Sequence, residues 1–327
     1  MSNIPAKNSG ARHLNAKNPE QVTVFPKRLK LRIENAPCES AGYPNAVFLV
    51  LPEQFAIAAQ SAQDNRYMNP EIAIDAERAK RQALALARKL REAGQTVLLF
   101  PGDANSPDGL FPNNAFSTRA GRYIVGAMRH PVRQQETERQ DLHSFFRDVL
   151  RYEAQTLRTG SVAELTGSLV IDRARGLGFC GLSERCNLLG AYAMHEAFAL
   201  NHSLIFELAQ GEYHTNVVMN ALAGAGVMLA PSGFASPECA QTIAEFYQDR
   251  AVILSEAEKN AFAANCIALS PIAGRRAQLW LSTGAADALS PHNRLAIEQL
   301  GFRLMTAELD EIEKAGGSLR CMIGEIY

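Results

Sequence analysis

The chain has 327 residues, of which 47% are hydrophobic and 20% charged, with a formal net charge of -1. That balance gives no electrostatic reason to expect nucleic acid or an anionic membrane surface as a partner, and the length suits one large domain or two ordinary ones. No apolar run reaches the roughly 18 residues of a spanning helix, and the first residues lack the apolar core of a secretory signal, so the expected location is the cytoplasm.

In chain order, residues 1–44 are polar and rich in Lys, Asn and Pro. They read as an extension, partly disordered or draped on the surface, ahead of a single domain over 45–327. AVFLVLP (46–52) has the pattern of a buried strand, 75–94 that of a helix stopped by Gly94, and QTVLLF (95–100) that of another strand. Residues 135–155 read as one amphipathic helix, SLVID (168–172) and LGFCGL (177–182) as a strand pair, and 184–200 as a helix. SLIFELA, YHTNVVMNALAG and GVMLAP read as strands, then 236–250 as a helix and RAVILS and RRAQLWLST as strands. A further helix opens with Ser290 as cap and Pro291 at its first position and stops at Gly301, before the strand FRLMTAEL.

Helices and strands alternate, but strands come in twos and threes, so the class is α/β without the simple βαβ repeat. No GxGxxG follows a strand and no phosphate-loop motif is present, so no nucleotide cofactor is expected. The six cysteines, Cys38, Cys180, Cys186, Cys239, Cys266 and Cys321, form no CxxC pair, so no metal is expected either.

Three residues form a chemically coherent set. Cys321, after the Gly316-Gly317 turn, can supply a thiolate nucleophile. His214, in GEYHTNVVMN, can protonate a leaving nitrogen and activate water. Glu164, before an apolar strand, can accept N–H groups and hold a substrate in line. The order Glu, His, Cys disfavours a papain-like protease, which places Cys early. The residues alone leave Cys321 open between a core thiol on a last strand and a nucleophile.

The tail GGSLRCM resembles the C-terminal GGGxxRCM of arginine deiminases and related guanidine-modifying enzymes. SPDGLFPNNAFST (106–118) and ELTGSLVID resemble PDGVFPNNWFST and EGTGSLVLD of a citrulline-hydrolysing branch. GLSERCN (181–187) is similar to GLSxRTN of dimethylarginine dimethylaminohydrolases, and YHTNVVM to the group's His-bearing strand. These matches run in the family's order from about 45 to 327. The resemblance implies the pentein fold, an α/β propeller of five ββαβ units around a pseudo-fivefold axis. It also implies a cofactor-free hydrolase that cleaves a C–N bond at a guanidino or ureido carbon of an arginine- or citrulline-like amino acid. An amidinotransferase and a non-catalytic binding module are the alternatives.

Matched residue by residue, the resemblance makes Cys321 the nucleophile, His214 the acid/base and Glu164 the carboxylate on the substrate nitrogens. Arg185 would grip the substrate carboxylate, with Asp108, Asn113, Asn114 and Asn216 as further binding residues. The expected partner is a small amino acid, with a homodimer as the candidate assembly. Relatives that bind a guanidinium have Asp at Asn114, and arginine deiminases have a second Asp at Asn216. Ala58 stands where the citrulline branch has Asn, although Asn65 is kept, and 121–140 matches only loosely. The lost charges favour a neutral ureido substrate. Gly316 and Gly317 would let the tail turn inward and leave room around the sulfur.

Overall fold

Short apolar runs separated by tight turns can pair only with their neighbours or across a helix, and one pairing pattern results throughout. The computed structural model describes residues 21–25, 42–270 and 276–327. Its strands are β1 Val22–Val24, β2 Ala46–Val50, β3 Val97–Phe100, β4 Phe116–Arg119, β5 Arg122–Val125, β6 Glu153–Thr156, β7 Leu169–Asp172 and β8 Leu177–Leu182. Then come β9 His202–Glu207, β10 Met219–Ala221, β11 Val227–Leu229, β12 Ala251–Ile253, β13 Ile267–Leu269, β14 Ala277–Ser282, β15 Phe302–Ala307 and β16 Gly324–Ile326.

Each sheet joins one antiparallel to one parallel pair. The orders are β4-β5-β6, β7-β8-β9, β10-β11-β12, β13-β14-β15 and β16-β2-β3, and β1 adds in parallel to β9. A parallel pair needs a crossover, and helices supply it: α1 Ala76–Glu92 between β2 and β3, α2 Leu188–Ala197 between β8 and β9, α3 Pro237–Tyr247 between β11 and β12, and α4 Pro291–Gln299 between β14 and β15. The caps explain their bounds. Asp75 accepts from the Arg78 N–H at 2.8 Å at the start of α1. Ser290 caps α4, and Gly301 takes the left-handed φ of 93° just past its end.

Apolar clusters are shared between successive sheets. Ile124 of β5 packs with Leu169 and Ile205, and Val170 and Phe206 with Val227 and Ile243. Met228 and Val252 pack with Leu279 and Phe302, and Trp280 and Ile267 with Val47 and Leu86. Phe48 of β2 then meets the β4–β6 sheet, with its ring 5.6 Å from Phe146 and Phe146 5.1 Å from Tyr123. The fold is mixed α/β. Among the described residues no helix is long and apolar enough to cross a membrane.

Three readings need correction. The helix expected over 135–155 is broken: short helical turns end at Glu138, where Arg139 is extended, and resume at Gln140–Val149, before β6. Pairing of Glu153–Thr156 with β5 overrides the local helical period. The segment read as a strand from Tyr213 opens with a helical turn, Thr215–Val218, and only then becomes β10. The helix expected from 184 starts at Leu188, because Asn187 caps it by accepting from the Gly190 N–H. Strands β4, β5 and β13 lay outside the expected set. Within the extension expected over 1–44, Val22–Val24 pairs in parallel with β9; residues 1–20 and 26–41 lie outside the described residues.

The strand carrying the tail is tightly seated. A Cβ on Gly324 would lie 2.1 Å from Cε1 of the buried Phe48 ring. Gly324→Ala should therefore destabilise the protein by about 2 kcal/mol through overpacking and lower the midpoint of a thermal melt by several degrees. An unchanged melt would show that the Phe48 ring yields freely.

Candidate active site

In four sheets a short turn comes directly before the strand paired antiparallel to the sheet's centre: Pro112–Asn114 before β4, Leu165–Ser168 before β7, Thr215–Val218 before β10 and Leu319–Met322 before β16. In the fifth, Asn265 and Cys266 lead into β13. Glu164 and His214 stand immediately before their turns, at the N-cap positions, and Cys321 lies inside its own. All three are buried.

His214 Nε2 lies 2.9 Å from Glu164 Oε2. The same oxygen accepts from Arg185 at 3.1 Å and Arg133 at 3.2 Å, and Glu164 Oε1 accepts the Arg129 N–H at 3.3 Å. The Cys321 sulfur lies 3.2 Å from Asn265 Nδ2 and 3.6 Å from Asn216 Nδ2. Gly167 sits where a Cβ would fall 2.4 Å from Asn114 Oδ1 and 2.8 Å from His214 Nδ1, so only glycine leaves this space open. Those two atoms have no hydrogen-bond partner, and neither do Asp108 Oδ1 and both amide atoms of Asn113. Buried polar atoms in native proteins are otherwise nearly always paired, so Asn114 Oδ1 and His214 Nδ1 are free to accept from a polar group placed beside Gly167.

Cys321, Asp108, Asn114, Arg133, Arg185, Tyr213, Asn65 and Gly317 line one cleft, with a cavity of about 10 Å³. That volume is enough for about one water. The segment between β2 and α1 covers it. Asp64 binds Arg185 at 2.6 Å and His130 at 2.9 Å, and the Ser61 carbonyl accepts from Arg185 at 2.9 Å. A far larger cavity, about 980 Å³, lies elsewhere, against Lys89, Trp280, Arg294 and Arg303. It contains none of the acid, base or thiol groups above.

A sequence profile described as N,N dimethylarginine dimethylhydrolase, eukaryotic, matches residues 51–327. The chain belongs to this family. It is a member of the pentein superfamily of arginine-modifying enzymes. Among curated proteins none matches the sequence. Among solved structures, the N-terminal domain of ArgZ, an arginine dihydrolase from the ornithine-ammonia cycle in cyanobacteria, is similar at 18% identity and a TM-score of 0.73, covering 86% of this chain and 97% of that one. Unliganded AgrE is similar at 20% identity and 0.71, covering 86% and 39%. A dimethylarginine dimethylaminohydrolase adduct with S-methyl-L-thiocitrulline is similar at 21% identity and 0.64, covering 87% and 100%. At these identities the likeness is one of fold.

In this dimethylhydrolase family member, burial alone would raise the Glu164 pKa, but Arg185 and Arg133 outweigh it and hold the carboxyl well below the usual range. Burial lowers His214, against the pull of Glu164. Burial raises Cys321, and the amides of Asn265 and Asn216 offset part of that. The neutral imidazole donates from Nε2 to Glu164, which leaves Nδ1 as an open acceptor. Near neutral pH these shifts favour an ionised carboxylate beside a neutral imidazole and a neutral thiol.

Of the residues singled out in the sequence, Glu164, His214 and Arg185 meet directly. Asn216 meets Cys321, and Asp108, Asn114, Arg185 and Cys321 share the cleft. Asn113 is buried but does not line it. Arg185 is buried, and its guanidinium is engaged by Asp64, Glu164 and the Ser61 carbonyl. Gly316 has φ 70°, and a Cβ there would strike Asn65 at 2.5 Å, while one on Gly317 would lie 2.9 Å from the Phe111 ring. The pair therefore makes room for the cleft wall as well as the turn. Sequence reasoning missed Arg133, which is buried between Glu164 and Glu136, and it missed Asn265 and Asp64. The one signal for Arg133 was the loosely matching arginine-bearing segment.

The Cys321 thiol is raised, so alkylation of the free protein at Cys321 should accelerate with pH through a midpoint above the ordinary thiol value of about 8.5. The check is the iodoacetamide rate at Cys321, read by peptide mapping across pH. A rate already at its plateau below neutral pH would mean that the thiolate is preformed.

Proposed function

We propose that this chain is a cofactor-free hydrolase that cleaves a C–N bond at the ureido or guanidino carbon of a small amino acid, with Cys321 as nucleophile. The observation that carries the reading is that Asn114 Oδ1 and His214 Nδ1, both unpartnered, face the space that only Gly167 leaves open, with His214 held by Glu164 and with Asn114 and Cys321 lining one cleft. The same reading makes residues 45–327 one catalytic propeller of five ββαβ units about a pseudo-fivefold axis. The repeated pairing and the succession of shared cores support it.

His214 Nδ1 takes the thiol proton, and the sulfur adds to the planar carbon. The protonated imidazole then gives that proton to the departing nitrogen, the C–N bond breaks, and ammonia or an amine leaves. A ureido substrate leaves a thiocarbamate on sulfur; a guanidino substrate leaves a thiouronium. His214 next deprotonates a water that attacks the same carbon. The C–S bond breaks and the thiol is restored. Ureido cleavage yields a carbamate that loses carbon dioxide to give the amine, whereas guanidino cleavage yields a ureido product. Glu164 keeps the imidazole in one tautomer and stabilises it when charged.

A neutral ureido group suits the charges of the cleft. Arg133 and Arg185 are already shared among Glu136, Glu164, Asp64 and Asp108, and the group that faces the open space beside His214 is the uncharged Asn114 amide. A substrate carboxylate would take over Arg185 from Asp64, with a bidentate guanidinium suited to the exchange. ArgZ is described as an arginine dihydrolase and AgrE is described in complex with L-arginine, so arginine is the competitor to test.

Cys321→Ser should abolish turnover and leave the melt unchanged, and chloroacetamidine should label Cys321 before any other thiol. Labelling at Cys180, Cys186 or Cys266, with the serine variant still active, overturns the assignment.

The amide at Asn114 can both donate to a ureido oxygen and accept from a ureido N–H, whereas a carboxylate only accepts. Asn114→Asp should shift the ratio of kcat/KM for arginine over citrulline upward by at least about tenfold, roughly 1.4 kcal/mol. A wild type that prefers arginine, or a ratio that does not move, would show that Asn114 does not read substrate charge.

A further inference from the structure

The fifth sheet supplies a residue to the site that neither motif nor mechanism has used. Asn265 is fully buried and directly precedes β13. Its Oδ1 accepts the Cys321 N–H at 3.3 Å, and its Nδ2 lies 3.2 Å from the Cys321 sulfur. The same Nδ2 lies 3.2 Å from the Asn216 carbonyl and 3.3 Å from Asn216 Oδ1, and the Asn265 carbonyl accepts the Arg320 N–H at 3.2 Å. An amide has one acceptor and two donor hydrogens. Committing the acceptor to the nucleophile's own backbone turns the donors toward the sulfur.

We propose that Asn265 is a catalytic residue that holds and stabilises the Cys321 thiolate through its side-chain amide, an inference that rests on Cys321 being the nucleophile. Hydrogen bonding to the charged form favours it, and a buried thiolate without donors would be costly. The charged and titratable groups around the sulfur leave this task to amides. Arg320, on the same turn, is paired with Glu325 at 2.5 Å. Across the cleft Arg133 and Arg185 are committed to carboxylates, Asp108 carries the opposite charge, and Tyr213 is an uncharged phenol raised by burial. His214 is turned to Glu164. Neutral donors also suit the reaction, since a lysine or arginine on the sulfur would repel a cationic guanidinium or thiouronium. The lowering that Asn265 exerts on the raised Cys321 thiol agrees with the geometry.

The test is a pH titration of thiolate ultraviolet absorbance, taken as the difference between each variant and its Cys321→Ser partner, together with kcat/KM across pH. Asn265→Ala should raise the Cys321 pKa by about one unit and cut kcat/KM near neutral pH about tenfold. Asn265→Asp, which sets a like charge on the sulfur, should raise it further, and Asn265→Ser, which keeps one small donor, should lie between alanine and wild type. If the alanine variant does not fold, the serine and aspartate variants decide the question by the same readout. A titration that matches wild type in a variant with an unchanged melt overturns the role of Asn265. A Cys321→Ser enzyme that still turns over overturns the nucleophile instead, whatever the Asn265 variants do.

Discussion

One buried carboxylate organises the site. Glu164 has no solvent exposure, and an isolated carboxylate there would take up a proton rather than remain charged. It stays ionised because Arg185, Arg133, His214 and the Arg129 N–H all converge on its two oxygens. Arg129 and Arg133 come from the crossover of the β4–β6 sheet, Arg185 from the end of β8, and His214 from the turn before β10. Removing one partner of such a pair leaves a buried charge uncompensated, at about 3–5 kcal/mol. The relative placement of three sheets is therefore tied to a single charge. The network also reaches upward, because Arg185 holds Asp64 and Ser61 of the segment over the cleft. Floor and cover of the site belong to one ionic system.

The electrical state of the reactive pair follows from the same burial. Removing water disfavours both the thiolate and the imidazolium, so the resting pair is neutral even though a carboxylate lies within hydrogen-bond reach of the imidazole. The donors on the sulfur are uncharged amides, whereas two of the donors on Glu164, Arg133 and Arg185, are cations. Cations crowd the Glu164 carboxylate, whereas the Cys321 sulfur is met by groups that can donate and accept without carrying charge.

The elements legible in the sequence are those whose signal is local. Asp75, Ser290, Gly94 and Gly301 mark helix ends through caps and left-handed turns, and AVFLV and AQLWLS are apolar enough to be strands wherever they pair. The failures are non-local. Leu142 and Phe146 repeat at helical spacing and do pack as a helical face, but Glu153–Thr156 has no strand pattern of its own and is extended only because β5 offers it a parallel edge. Motif matching found Glu164, His214, Arg185 and Cys321, yet nothing in one-dimensional spacing shows that the partner of Arg185 is Asp64, 121 positions away. Asn265 carries the weakest signal of all, a single amide before an apolar run, and only its position in the fifth sheet gives it meaning.

The tail Gly316–Tyr327 connects these points. Its thiol is held by Asn265 and Asn216, and its last strand, β16, pairs antiparallel with β2 near the start of the described domain. That pairing closes nearly the whole chain into one loop. Loop closure grows slowly with length, but contacts so distant in sequence are intrinsically slow to form. Before that step Cys321 has neither its amide donors nor the cleft wall that Gly317 and Phe111 form. The surroundings of Cys321 are thus assembled by a highly non-local contact, and a chain that has packed its other sheets without seating β16 contains Glu164, His214 and both arginines but not the cleft that Cys321 lines.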